Sequence, residues 1–276
     1  MAAASGASGA PVRGLRRRAA AAIAAHLPAA ALLASGAPLP ALAALAAAHA
    51  VWLWGTLRPG STLFGPVRRR LDHADGVWLT IDDGPSDDTL AILDALGRAG
   101  ARATFFLVAD RAGQRPDLVA AIRARGHTVG NHTQSHPSAR FWRLGPRRMQ
   151  AEIAGAQAQL AALCDGVAPR HFRAVAGHAN PFVEPVLHAL GLERVAWSAR
   201  GYDAVTGDVA TVLHRIERDL EPGAIVLLHE GAAHGRCPAI VEAVLAALAR
   251  RELRTTLPDS AAFGDDQPVV EGRPAP

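Results

Sequence analysis

From Val77 onward, short apolar runs alternate with longer stretches of helical period. Strands are predicted at Val77–Ile81, Ala103–Leu107, His127–Val129, His171–Phe172, Arg194–Trp197 and Ala224–Leu228. Helices are predicted at Asp88–Arg98, Pro116–Arg125, Pro146–Leu163, Pro181–Leu190, Val209–Leu220 and Pro238–Arg250, several with proline in the first turn, where its missing N–H costs nothing. Strand and helix in strict alternation predict an α/β fold of parallel β/α units. No internal repeat is visible. Residues 261–276, rich in Pro, Gly and Asp, read as a flexible tail.

The pattern is different before Leu71. Arg13-Gly14-Leu15-Arg16-Arg17-Arg18 precedes an almost uncharged stretch, Ala19 to Pro38, broken by Ser35-Gly36. A second apolar stretch, Pro40 to Leu57, carries Trp52 and Trp54 near its end; Arg58 and Arg68-Arg69-Arg70 follow. Each stretch approaches the length of a bilayer span, and the tryptophans sit where an interfacial aromatic belt would lie. Ala41-Leu42-Ala43 resembles a signal-peptide cleavage site, but the apolar region runs too far past it for a signal peptide alone. A hairpin of two short spans fits better. Its arginine-rich flanks would both be cytoplasmic, placing the domain on the cytosolic face of a bacterial-type inner membrane. A single span with a periplasmic domain is the alternative. The organisation expected is therefore a basic, membrane-associated region over 1–70, a catalytic domain over 71–260, and the tail.

Composition sharpens this division. All 29 basic residues are arginine. Residues 1–70 hold eight arginines and no acid, whereas the rest holds 21 arginines against 25 acids. The positive charge lies outside the folded domain, which argues against a nucleic-acid partner. The two cysteines, Cys164 and Cys237, lack metal or redox spacing.

Three places carry candidate chemistry. Thr80-Ile81-Asp82-Asp83-Gly84-Pro85-Ser86 ends an apolar strand in a turn with two adjacent carboxylates. Neighbouring strand residues point to opposite sides, so one acid can bind a cation while the other serves as a base. In Gly130-Asn131-His132-Thr133-Gln134-Ser135-His136-Pro137, two histidines stand four apart, one helical face if the segment is a helical turn. Two imidazoles and a carboxylate form a three-donor set that leaves positions for water and substrate. Finally, Gly223-Ala224-Ile225-Val226-Leu227-Leu228-His229-Glu230 is a buried strand with a histidine at its exit, suited to general-acid work.

Together these pieces resemble the polysaccharide deacetylase family of the NodB-homology type, which includes chitin and peptidoglycan deacetylases. The resemblance spans five motifs in order over roughly residues 76–257: Thr80–Pro85, His132 to His136, Arg173-Ala174-Val175-Ala176-Gly177 with Asn180-Pro181, Trp197 with Asp203, and Leu227-Leu228-His229. It implies a distorted, incomplete (β/α) barrel and a metal-dependent hydrolase that removes N-acetyl from an amino sugar of a glycan or lipid-linked saccharide. It further implies Asp83, His132 and His136 as ligands of one divalent metal; the donor set suits zinc, and also cobalt, nickel or manganese. Asp82 would be the base, oriented by Arg173, and His229 the acid, held as imidazolium by Asp203. Leu227 and Trp197 would line the substrate pocket, with a backbone N–H near Ala176 as oxyanion donor.

The chain departs from the family pattern at two motifs. Ala174, Val175 and Ala176 stand where prolines and an aromatic are usual, which removes a sugar-stacking surface. Arg200 and Ala204 stand where many members carry Asp and Trp; Arg200 either meets an anionic substrate group or is solvated. With the apolar N-terminus, the altered third motif favours a membrane-lipid partner and a glycolipid amino sugar as substrate. Removal of formyl from a lipid-linked amino sugar and a catalytically inactive scaffold are the competing readings.

Overall fold

The computed structural model describes residues 23–72, 75–138 and 140–258. The expected tail and the first arginine cluster lie outside the described residues.

Seven strands form one all-parallel sheet: β1 (Trp78–Gly84), β2 (Ala103–Leu107), β3 (Thr128–Asn131), β4 (His171–Phe172), β5 (Glu193–Arg194), β6 (Ala199–Arg200) and β7 (Ile225–His229). Their spatial order is β5-β4-β3-β2-β1-β7-β6. Period-two alternation sorts the side chains. Leu79, Ile81, Phe105, Leu107, Val226 and Leu228 face outward into the main core, whereas Trp78, Phe106, Ile225 and Leu227 face inward with Val195, Ala196 and Trp197.

The helices in chain order are α1 (Leu27–Ala34), α2 (Pro38–Leu57), α3 (Thr89–Arg98), α4 (Ala109–Gln114), α5 (Pro116–Ala124), α6 (Pro146–Gln150), α7 (Ala156–Leu163), α8 (Val183–Leu190), α9 (Val209–Glu217) and α10 (Cys237–Arg250). Ile92, Leu96, Val119, Ile122, Leu160, Val212, Ile216, Ile240, Val241 and Val244 cover the sheet's outer face. The fold is the distorted, incomplete barrel that the sequence resemblance implies. The predicted helix Pro146–Leu163 contains one π turn over Ala151–Gly155 that separates α6 from α7. Helix α4 was not foreseen.

The predicted strand Arg194–Trp197 is corrected to two two-residue strands. Residues 195–198 span the opening between the first and last strands of the sheet, so they cannot stay in one ladder. The preceding segment fills the same opening: Arg68 N–H donates to Arg194 O at 2.9 Å, Ala196 N–H to Arg68 O at 2.8 Å, and Leu71 N–H to Gly223 O at 2.8 Å. Arg194 Nη2 further holds Ser61 O at 2.8 Å and Gly65 O at 3.0 Å.

Helices α1 and α2 pack together through small residues, Ala29, Ala41 and Ala48, with His26 and His49 edge to face at 5.2 Å. Among the described residues only α2, 20 residues with mean hydropathy 1.4, is long and apolar enough to cross a membrane. The eight residues of α1 reach about 12 Å at the helical rise, short of a second span.

Candidate active site

The C-terminal strand ends meet at one place, where barrels of this kind hold their chemistry. Strand β1 supplies both acids. Its ladder to β2 shifts between Asp82 and Gly84, and Asp83 sits at φ +71°, a bulge that re-aims its side chain. Alternation alone would send Asp82 and Asp83 apart. The bulge turns both towards His132, whose Nε2 lies 3.9 Å from Asp82 Oδ2 and 3.3 Å from Asp83 Oδ1. Arg111 Nη1 donates to Asp83 O and braces the bulge.

His132 and His136 do not lie on a helical turn, so that expectation is corrected. Thr133 at φ +73° and His136 at φ +54° make a left-handed loop instead. Asn131, the last residue of β3, builds it. Its amide donates to Ile153 O and Gln157 Oε1, both at 3.0 Å, and its Oδ1 accepts from Thr133 N–H at 3.0 Å. Thr133 Oγ1 then accepts from His136 N–H at 3.1 Å. His132 Nδ1 lies 2.8 Å from Arg173 O, an atom that can only accept, so Nδ1 carries the proton and Nε2 presents its lone pair.

The three expected ligand atoms lie within 4.8 Å of one another. Asp83 Oδ1 is 3.0 Å from His136 Nε2 and 3.3 Å from His132 Nε2, yet it is buried with no aligned hydrogen bond. Donors that crowd together without pointing at each other fit a shared cation, and one carboxylate with two imidazoles suits a first-row divalent metal. Burial works against charge on Asp83, but the two imidazoles hold its carboxyl far below the usual range. Burial likewise works against charge on His132, and Asp82 and Asp83 reverse the balance, raising it.

Arg173 is fully buried behind Asp82. Its Nη1 donates to Asp82 Oδ1 at 2.8 Å and to Thr80 Oγ1 at 2.7 Å, its Nη2 to Ala196 O at 3.0 Å, and its guanidinium stacks 4.3 Å from the Phe106 ring centroid. Opposite, Asp203 accepts from His229 N–H at 2.6 Å and holds His229 Nδ1 at 3.0 Å. Burial disfavours the imidazolium, but Asp203 outweighs it and lifts His229 to about 9. Leu227 and Trp197 are buried on the inner face. Ala176 is exposed on the third-motif turn at φ +52°.

Two further residues went unnoticed in the sequence. Glu230 is buried immediately after His229. Its Oε2 accepts from Ser86 N–H at 3.2 Å, Ser86 Oγ at 2.8 Å and the Thr89 hydroxyl, bracing the turn after Asp83. Burial outweighs these bonds and pushes its carboxyl up to about 7. His234 donates from Nε2 to Asp203 O at 2.6 Å and so fixes the residue that holds His229. An acid closing an apolar strand was the signal for Glu230; His234 offered none.

Residues 70–195 match the family model for polysaccharide deacetylase. A chitooligosaccharide deacetylase of Bradyrhizobium sp. is 34% identical over 173 residues, covering 61% of this chain and 78% of the relative. A peptidoglycan-N-acetylglucosamine deacetylase of Bacillus cereus is 30% identical over 158 residues, 56% of this chain and 72% of the relative. The family 4 carbohydrate esterase of Streptomyces lividans, solved with acetate, superposes with a TM-score of 0.61 at 32% identity, over 68% of this chain and 96% of that one. This chain belongs to the polysaccharide deacetylase family. It is thereby placed among deacetylases, hydrolases of a carbon–nitrogen bond.

Proposed function

We propose that this chain removes the N-acetyl group of an amino-sugar glycan with one divalent metal, zinc before cobalt, nickel or manganese, held by Asp83, His132 and His136. The observation that carries the reading is the convergence of those three donors between a carboxylate paired to Arg173 and an imidazole paired to Asp203. When bound, the metal polarises the acyl carbonyl and makes water acidic near neutral pH. Asp82 takes the proton of the attacking water through Oδ2, since Oδ1 is tied to Arg173. Water oxygen bonds to the acyl carbon and the C–N bond breaks. His229, with Nδ1 on Asp203, gives its Nε2 proton to the departing nitrogen, so acetate and an amine result. Leu227 and Trp197 enclose the acyl methyl, and the turn at Ala176 offers a backbone N–H to the oxyanion.

The substrate is read as a lipid-borne sugar. A groove of about 440 Å³ runs between α2, at His49, Trp52, Leu53 and Thr56, and the site's own loops at Trp142 and Phe182. Asn180, after the third-motif turn, donates to Trp142 O at 3.1 Å and Leu144 O at 2.9 Å, which ties together the two loops that line the groove. Helix α2 exposes Leu39, Leu42, Val51, Leu53 and Trp54, which suits a membrane lipid partner. Arg58 and Arg68-Arg69-Arg70, directly after α2, favour a cytoplasmic-facing domain on the inner membrane.

The test is amine release by the full chain from chitooligosaccharide and from a lipid-linked N-acetyl sugar, with and without added zinc. Zinc-dependent acetate release that is faster on the lipid-linked sugar supports the whole reading. Formate release from the N-formyl analogue alone would replace the acetyl assignment. Turnover of neither would sink the enzyme assignment. Protease accessibility in vesicles of known orientation tests the facing.

A further inference from the structure

Arg200 ends strand β6 in register with Leu227 of β7, so both side chains leave the same, inward face of the sheet. Its guanidinium lies 3.7 Å from the Tyr202 ring centroid and 5.4 Å from that of Trp197. Stacking fixes the plane of the fork. Its donors, however, are idle: Nε is buried with no hydrogen-bond partner, and among the described residues Arg200 forms no ion pair. A buried donor left unmade costs on the order of 1–3 kcal/mol, more when charged, so such a group persists where a ligand completes it. Arg173, in the same barrel, is the contrast, with Nε, Nη1 and Nη2 all bonded to protein oxygens.

The surroundings add to this. Tyr202 holds φ +65°, a left-handed position that sets its ring under Arg200, and it directly precedes Asp203, the partner of His229. Arg215 lies 5.5 Å from the same ring, with Nη1 bonded to Gly201 O at 3.2 Å. Two guanidinium groups share one aromatic ring, and neither has a carboxylate in an ion pair among the described residues.

We infer that Arg200 is an oxyanion receptor at the rim of the acyl pocket, and that it selects substrates carrying a phosphate or carboxylate beside the N-acyl sugar. This rests on the deacetylase reading and narrows its substrate. A stacked guanidinium with free N–H groups can meet two oxygens of either anion side by side, which an ammonium cannot.

Two measurements test it on the full chain. The first is calorimetric titration of metal-free protein with inorganic phosphate and with acetate, for wild type, Arg200→Lys and Arg200→Gln; it requires no turnover. Phosphate or acetate affinity should fall roughly 10- to 100-fold in R200Q, with R200K between, as for loss of a charge-assisted pair. Equal affinity in R200Q overturns the inference. One equivalent of zinc bound by R200Q certifies its fold. The second is kcat/KM on three N-acetyl sugars of equal length: neutral, phosphate-bearing, and carboxylate-bearing. The preference for an anionic over the neutral sugar should fall at least about tenfold in R200Q, mainly through KM. Which anionic arm responds identifies phosphate or carboxylate. An unchanged preference in an active enzyme overturns the inference. Wild type inactive on all three would instead sink the deacetylase reading and leave the titration to decide Arg200.

Discussion

The strand ends and helix α2 treat their surroundings in opposite ways. At the strand ends nearly every polar group has a named partner. Arg173 spends its donors on Asp82, Thr80, Val195 and Ala196, and Asp203 uses both oxygens on His229. Three side-chain atoms there lack a hydrogen-bond partner among the described residues, Asp83 Oδ1, Arg200 Nε and Glu230 Oε1; the first two face the site and mark where something else belongs. Helix α2 buries only Ala41, Ala48, Gly55 and Thr56, and shows its large side chains outward. One region satisfies most of its polar groups internally; the other leaves large apolar side chains exposed. Loss of a side chain should therefore be severe in the first and mild in the second.

The largest effect falls on the ligands. His132→Ala leaves two donors and should lose zinc at stoichiometric concentrations. Turnover should fall by at least about 10³-fold, the several kcal/mol of Lewis-acid assistance. Metal analysis after gel filtration, beside amine release, checks it. Retained metal and rate in this variant would break the contrast at its strongest point.

Asp203→Asn comes next. His229 is held near 9 against an ordinary 6.5, so the acid is present below pH 9 and its loss forms the alkaline limb of the rate profile. Without the Asp203 charge that limb should slide down towards 6.5, with kcat reduced about 10²- to 10⁴-fold. A pH–rate profile whose alkaline limb does not move would assign it to another group.

Glu230→Gln tests stability. The folded carboxyl titrates near 7 against 4.5 unfolded, so the folded state binds the proton more tightly. Stability from this group is full below pH 4.5, is lost as pH rises to 7, and stays lost above. The loss is about 3 kcal/mol from a shift of this size. Urea unfolding at pH 5 and pH 8 should show that difference in wild type and a smaller one in E230Q.

A pair of tryptophans separates the two regions directly. Trp78→Ala, from the barrel interior, should cost about 3–5 kcal/mol. Trp54→Ser, from the exposed face of α2, should cost within about 0.5 kcal/mol in detergent-free unfolding, yet weaken vesicle binding in flotation. Similar unfolding costs for the two would dissolve the distinction.

The candidate site residues were legible because their motifs pair residue type with order. The geometry that joins them was not. Asp82 and Asp83 are neighbours that alternation should separate; a bulge, invisible in composition, reunites them. The His132–His136 spacing suggested a helix, but Asn131 satisfies the loop's backbone through its own amide, and two left-handed residues deliver the same closeness. The run Arg194–Trp197 has strand character, yet it must span the barrel's opening, a demand set by the whole sheet. Glu230 could have been suspected as an acid closing a buried strand, but nothing local tied it to Ser86 and Thr89, roughly 140 residues earlier in the chain.

The most direct test of the central claim is zinc titration and acetate release on Asp82→Asn beside wild type. Asp82 is placed as the base and not as a ligand, so the variant should bind one equivalent of zinc as wild type does. It should release acetate about 10²- to 10⁴-fold more slowly. Undiminished release from the zinc-loaded variant would contradict the account, as would loss of zinc from a folded Asp82→Asn protein.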